Sequence, residues 1–184
     1  LPFERPLLLL DSGANATVTA EYMEQFAYMG AIYMEGIFQN PHVTVGLLNN
    51  GAEAHKGPPV YVETYRLLKN SSLNFVGNIE GKEIPRGRCD VLVADGFAGN
   101  IVLKLVEGMS RFALKKVKGL FFSSLATKMS AVLFKKQFVS LKKELDASEY
   151  GGAPFLGISK PVIKAHGSSD ARAVKNAVRQ AKAY

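Results

Sequence analysis

The sequence predicts an α/β fold built on a parallel sheet, and three observations carry that prediction. First, Val91 to Ala94 is an unbroken apolar run that ends in Asp95-Gly96-Phe97-Ala98-Gly99-Asn100. A strand with one wet face would alternate, so an unbroken run implies burial on both faces, as in parallel sheets. Second, a helix expected to begin near Asn100 follows at once, with Val102, Leu105, Val106, Met109, Phe112 and Ala113 along one face. Third, Leu7 to Leu10 running into Asp11-Ser12-Gly13-Ala14-Asn15 repeats the device near the start of the chain. Acid, glycine and amide at a strand end make a turn able to hold an anion, with Asn100 also placed to cap its helix. An ordinary crossover whose glycines only permit tight packing satisfies the same pattern.

Composition narrows the class. A chain of 184 residues that is 47% hydrophobic can bury a sizeable core and leaves little room for disorder. Its single cysteine, Cys89, precludes an internal disulfide and reads as a small core residue of an intracellular protein. No apolar run approaches the roughly 20 residues needed to cross a bilayer, and Leu7 to Leu10 lacks the length and basic leader of a signal peptide. The net charge of +7 is concentrated: nine cations and no acid lie between Glu107 and Glu144, which leaves the rest of the chain at −2. A local partner is expected for that segment.

In order along the chain, Thr19 is the expected N-cap of a helix with Met23, Phe26, Ala27, Gly30, Tyr33, Met34 and Ile37 facing inward. Val43 to Leu48 is the next strand, and the polar loop from Asn49 to Pro59 leaves it. Lys56 in that loop can set a fixed positive charge over a phosphate or a developing oxyanion; the alternative is a solvated loop lysine. Pro59 to Asn70 is a proline-initiated helix and Leu73 to Val76 a short strand, and Gly81, Pro85, Arg86 and Gly87 mark a surface connection.

Beyond the helix after Asn100, Lys115, Lys116 and Lys118 precede Leu120, Phe121 and Phe122, and a second helical spacing comes next at Phe134, Phe138, Leu141 and Leu145. The pattern is that of a helical hairpin over residues 109–145 with a greasy, basic tip. Such a tip suits shallow insertion into an anionic bilayer, and it equally suits a dimer-forming helix pair with solvated lysines. Nucleic acid is not expected, because arginine is scarce and no nucleic-acid motif is present. Pro161 to Ala165 is a last strand, and Ser168 or Ser169 caps a terminal helix with Ala171, Val174, Ala177, Val178 and Ala181 inward. His166, Gly167, Ser168 and Ser169 combine donors with a group titrating near neutrality, which suits phosphate; a well-capped helix beside a hydrogen-bonded histidine is the plainer reading. No Cys/His pattern suggests a metal, and no G-x-G-x-x-G fingerprint occurs.

Six segments in this order carry a resemblance: 8–15, 45–49, 74–81, 95–100, 149–154 and 163–170. Together they resemble the phosphate acyltransferase family of bacterial phospholipid synthesis, whose members pass an acyl chain from acyl carrier protein to inorganic phosphate. The resemblance implies a three-layer α/β/α sandwich related to phosphotransacetylases and isocitrate-dehydrogenase-like proteins. It further implies that residues 1–184 are the C-terminal part of one such domain without its N-terminal half, and that the whole is a cytoplasmic homodimer peripheral to the inner membrane face. Lys56 matches a functional lysine and Asn100 a functional asparagine, and His166 is the third catalytic candidate. Asp11, Asn15, Gly99, Gly167, Ser168 and Ser169 are the candidate phosphate- and substrate-binding residues. Lys115, Lys116, Lys118, Leu120, Phe121 and Phe122 are candidates for contact with membrane or carrier. The family's usual Lys-Gly-Asn is Lys56-Gly57-Pro58 here, and Ser12 replaces an apolar residue. An activated thioester and a nucleophilic phosphate need no cofactor, metal or covalent intermediate, only positioning and charge stabilisation. A dehydrogenase of the related fold and a non-catalytic membrane adaptor are the other classes the residues allow.

Overall fold

The computed structural model describes residues 6–124, 127, 129, 133–145, 152–165, 167 and 169–183. They fall into two compact units, one ending at Val106 and one beginning at Glu107. In the first, β1 (Leu8–Leu10), β2 (Thr44–Asn49), β3 (Asn74–Glu80) and β4 (Val91–Val93) form a sheet ordered β1-β4-β2-β3. Every neighbouring pair is parallel. Parallel neighbours need crossovers, and α1 (Ala20–Phe38) and α2 (Pro59–Lys69) supply two of them.

Alternation along the strands divides the core into two layers. Val45, Leu47, Val91 and Val93 pack with Met23, Ala27 and Met34 of α1 and with Tyr61 and Leu68 of α2. Leu9, Leu48, Leu92 and Ala94 pack on the opposite side with Ile84 and Cys89, joined by Ala98, Val102 and Leu103 from the start of α3 (Gly96–Phe121). Helices on both faces of a parallel sheet agree with the predicted class and are compatible with a three-layer sandwich. Each fully buried Val or Leu contributes about 1.5–3 kcal/mol, so β4, buried throughout, is held by its side chains as much as by its ladder.

Thr19 caps α1 as expected, its side chain accepting from the Tyr22 amide at 3.4 Å. The expected inward face of α1 is buried or half-buried except for Ile37, which is exposed in the last turn before Gln39 ends the helix at φ 50°. Strand β3 runs four residues past the predicted end. Gly77 (φ 96°) lies on it beside a register shift against β2. The segment after β3 is a 3-10 turn, Gly81–Arg86, rather than a plain surface connection. A reciprocal Glu80–Glu83 capping box closes it, and Ile84 is buried.

The expected inward face of α3 is corrected. Leu105, Met109 and Phe112 are each more than half exposed. The reason is length, since 26 helical residues reach about 39 Å whereas a three-residue strand covers about 10 Å. Only the first turns of α3 meet the core. In the second unit, α4 (Lys135–Glu144) comes after the end of α3, and the Phe121 ring lies 6.0 Å from Phe134 and 6.3 Å from Phe138. The expected last strand is shorter than predicted: β6 (Ile163–Lys164) pairs antiparallel with β5 (Ala153–Pro154) in a separate two-stranded sheet. Helix α5 (Ala171–Ala183) packs on β6. It buries Ala173 and Ala177, while Ala171, Val174 and Val178, expected inside, are exposed. Small side chains, not the larger aliphatics, make the close face. No helix among the described residues is long and apolar enough to cross a membrane.

Candidate functional site

Because all four strands of the first sheet run the same way, the loop 11–15, the loop 50–58 and the first turn of α3 all leave its C-terminal edge. Ligands of open parallel sheets bind at that edge. The first loop is organised by Asp11, which is 4% exposed. Its carboxylate accepts from the Gly13 and Ala14 amides at 2.8 and 2.9 Å, and from the amide and side-chain nitrogen of Asn15 at 2.6 and 3.0 Å. Burial alone would raise the Asp11 pKa, but these donors outweigh it and hold the carboxyl below its ordinary value. The loop amides therefore point at their own aspartate.

That loop rests on the start of α3. The Gly96 amide donates to the Asn15 carbonyl at 2.8 Å, and a Cβ at Gly99 would overlap the Asp11 carbonyl oxygen. A Cβ at Gly13 would stand 3.4 Å from the Asn100 side chain. Asp11, Asn15, Gly99 and Asn100 are thus brought together. Gly99 contributes close approach, since its own amide is already donated to the Asp95 carbonyl at 2.9 Å.

Asn100 is not the cap expected for this helix. The helix begins four residues earlier, where the Asp95 carboxylate accepts from the Ala98 amide at 2.7 Å. The other Asp95 oxygen accepts from the Tyr61 hydroxyl at 2.7 Å, and that hydroxyl accepts from the Asp95 amide at 3.2 Å. Burial, together with donation to the Asp95 carboxylate, pushes the Tyr61 hydroxyl well above its ordinary range.

The Lys56 loop is pinned at three points. Asn49, at the end of β2, donates to the Lys56 carbonyl at 2.9 Å. Asn78 of β3 donates to the Glu53 carbonyl at 2.8 Å, and the Lys56 amide closes on the same carbonyl at 3.1 Å. Gly57 turns at φ 91°, and a Cβ there would lie 2.7 Å from the Asn49 side-chain oxygen. Lys56 is half-buried, and among the described residues its ammonium has no ion pair. The side-chain oxygen of Asn78 is buried without a partner among the described residues.

Of the remaining sequence-predicted positions, Gly167 and Ser169 lie in the second unit, and His166 and Ser168 lie outside the described residues. The Asp170 carboxylate accepts from the Ala173 amide at 2.8 Å in the first turn of α5. Lys115, Lys116, Lys118, Leu120 and Phe122 are exposed, Leu120 at 69% and Phe122 at 56%; Phe121 is half-buried. The Lys116 ammonium stands 5.5 Å from the Phe112 ring centre. Sequence reasoning missed Asp95, Tyr61, Asn49 and Asn78. Only Asp95 carried a signal, an aspartate immediately before a helical pattern.

Residues 1–184 match the family described as fatty acid synthesis protein. The chain is 49% identical over 175 residues to a phosphate acyltransferase of Shouchella clausii, covering 95% of this chain and 53% of that protein. It is 48% identical over 177 residues to a phosphate acyltransferase of Clostridium botulinum and 45% identical over 177 residues to one of Thermoanaerobacter pseudethanolicus. In both, the match covers 96% of this chain and 53% of the relative. The chain thus spans about half the length of the curated relatives it matches. With strand-end loops gathered at one sheet edge and similarity along nearly its whole length, the chain belongs to the fatty acid synthesis protein family.

Proposed function

We propose that the protein transfers a fatty acyl group from acyl carrier protein to inorganic phosphate, giving acyl phosphate for phospholipid synthesis. The observation that carries this reading is the packing of the Asp11–Asn15 loop on Asn100 at the sheet edge that also bears the Lys56 loop. A phosphate oxygen attacks the thioester carbonyl carbon, the C–O bond forms, and the C–S bond breaks to release the carrier thiolate. The half-buried Lys56 ammonium faces the developing oxyanion and the phosphate charge, and the Asn100 amide orients the thioester carbonyl. Asp11 shapes its loop while Asn15 faces substrate. Gly99 lets the Asp11–Asn15 loop approach the first turn of α3.

In this reading the protein works in the cytoplasm as a homodimer at the inner membrane face. Exposed Leu120 and Phe122 beside Lys115, Lys116 and Lys118 favour contact with an anionic lipid surface, and the same cations suit an acidic carrier protein. The test is formation of acyl phosphate from acyl carrier thioester and phosphate by the full-length protein. Replacing Lys56→Ala is expected to lower turnover roughly a hundredfold. Turnover equal to the parent's would remove Lys56 from the mechanism.

A further inference from the structure

We infer that Tyr61 is a positioning residue that sets the place of Lys56 relative to Asn100. The inference deepens the acyl-transfer reading and rests on it. Tyr61 is 5% exposed and packs in the core layer of α1 and α2, whereas the start of α3 packs in the opposite layer. Its hydroxyl therefore joins helices from the two faces of the sheet. The joint is reciprocal: the hydroxyl donates to the Asp95 carboxylate at 2.7 Å and accepts from the Asp95 amide at 3.2 Å. Two bonds to one residue restrict tilt as well as separation.

The connections on either side are stiff. Between Tyr61 and Lys56 stand Val60, the two prolines Pro58 and Pro59, and Gly57, and the Tyr61 amide closes on the Pro58 carbonyl at 2.8 Å. The one permissive residue, Gly57, is flanked by a Lys56 carbonyl already held by Asn49. On the other side, Asp95 caps α3 through the Ala98 amide, and Asn100 stands five residues later on that helix. A shift at the hydroxyl is passed along both connections to the two groups assigned to the carbonyl and the phosphate.

The experiment is a double-mutant cycle on the full-length protein, reading acyl phosphate formation well below the melting temperature. Tyr61→Phe keeps the buried ring and is expected to lower kcat about tenfold to a hundredfold, with KM for the acyl carrier thioester unchanged. In a Lys56→Ala background the same change is expected to cost less than about twofold, because the group it positions is gone. Asp95→Asn, which keeps a carbonyl oxygen for the Ala98 amide but turns an NH2 toward the hydroxyl, should show the same dependence on Lys56. Equal fractional losses with and without Lys56, or a Tyr61→Phe kcat within twofold of the parent, overturn the inference while leaving the acyl-transfer reading intact. A parent protein that makes no acyl phosphate overturns that reading and this inference with it.

Discussion

Two strand-end turns in this molecule look alike on paper and do different work. Asp11-Ser12-Gly13-Ala14-Asn15 and Asp95-Gly96-Phe97-Ala98-Gly99-Asn100 each come after an apolar strand, and each mixes acid, glycine, alanine and amide. Asp11 spends its carboxylate on the amides of its own loop, and the chain needs eight more residues before α1 begins at Ala20. Asp95 opens α3 at once and gives one oxygen to the helix and the other to Tyr61. The difference lies in the backbone immediately after the acid. Once four consecutive residues enter the helix, the aspartate can reach only the first-turn amides, whereas a loop is free to wrap back on it.

The comparison can be broken most forcefully where the two turns touch. Gly99→Ala places a methyl group against the Asp11 carbonyl, and is expected to destabilise the full-length protein by about 3 kcal/mol in denaturant titration. A loss under 1 kcal/mol would mean that the contact yields easily. Asp95→Ala removes the α3 cap and leaves the Tyr61 hydroxyl without an acceptor, so about 2 kcal/mol should be lost, with a matching drop in melting temperature.

Asp11→Asn sharpens the contrast most gently. It keeps one carbonyl oxygen for Gly13 and Ala14 but sets an NH2 against the Asn15 donors, costing about 1 kcal/mol at neutral pH. The sign with pH is set by the lowered folded pKa. The carboxylate stabilises the fold fully above its ordinary value of 3.8, and that stabilisation is lost as pH falls through the lower folded value. The parent and Asp11→Asn stability curves should therefore converge in acid, and parallel curves down to pH 2 would contradict the assignment.

Much of this arrangement was legible in the residues, and the illegible parts share a cause. Unbroken apolar runs marked β1 and β4, because burial on both faces removes alternation. Thr19 and Pro59 marked the starts of α1 and α2 by local chemistry. The start of α3 was misplaced because Gly96 and Gly99 read as loop residues, while in the fold they are the clearance that lets the first turn of a helix sit under another backbone. Tyr61 carried no signal, since nothing local says that its hydroxyl meets a residue 34 positions away. The face of α5 was misjudged because spacing cannot choose between alanines and valines when the helix packs closely. Lys56 and Asn100 stood out by their place at strand ends, and the resemblance matched each to a functional residue; the structure adds the struts around them.

Strand β4 also carries a consequence for synthesis. It is the last of its sheet to leave the ribosome, yet it lies between the first two and hydrogen-bonds to both. A nascent chain ending before Val91 has both banks of the gap and nothing to bridge them, so its greasy edges stay open to chaperones or to other nascent chains until the bridging segment emerges.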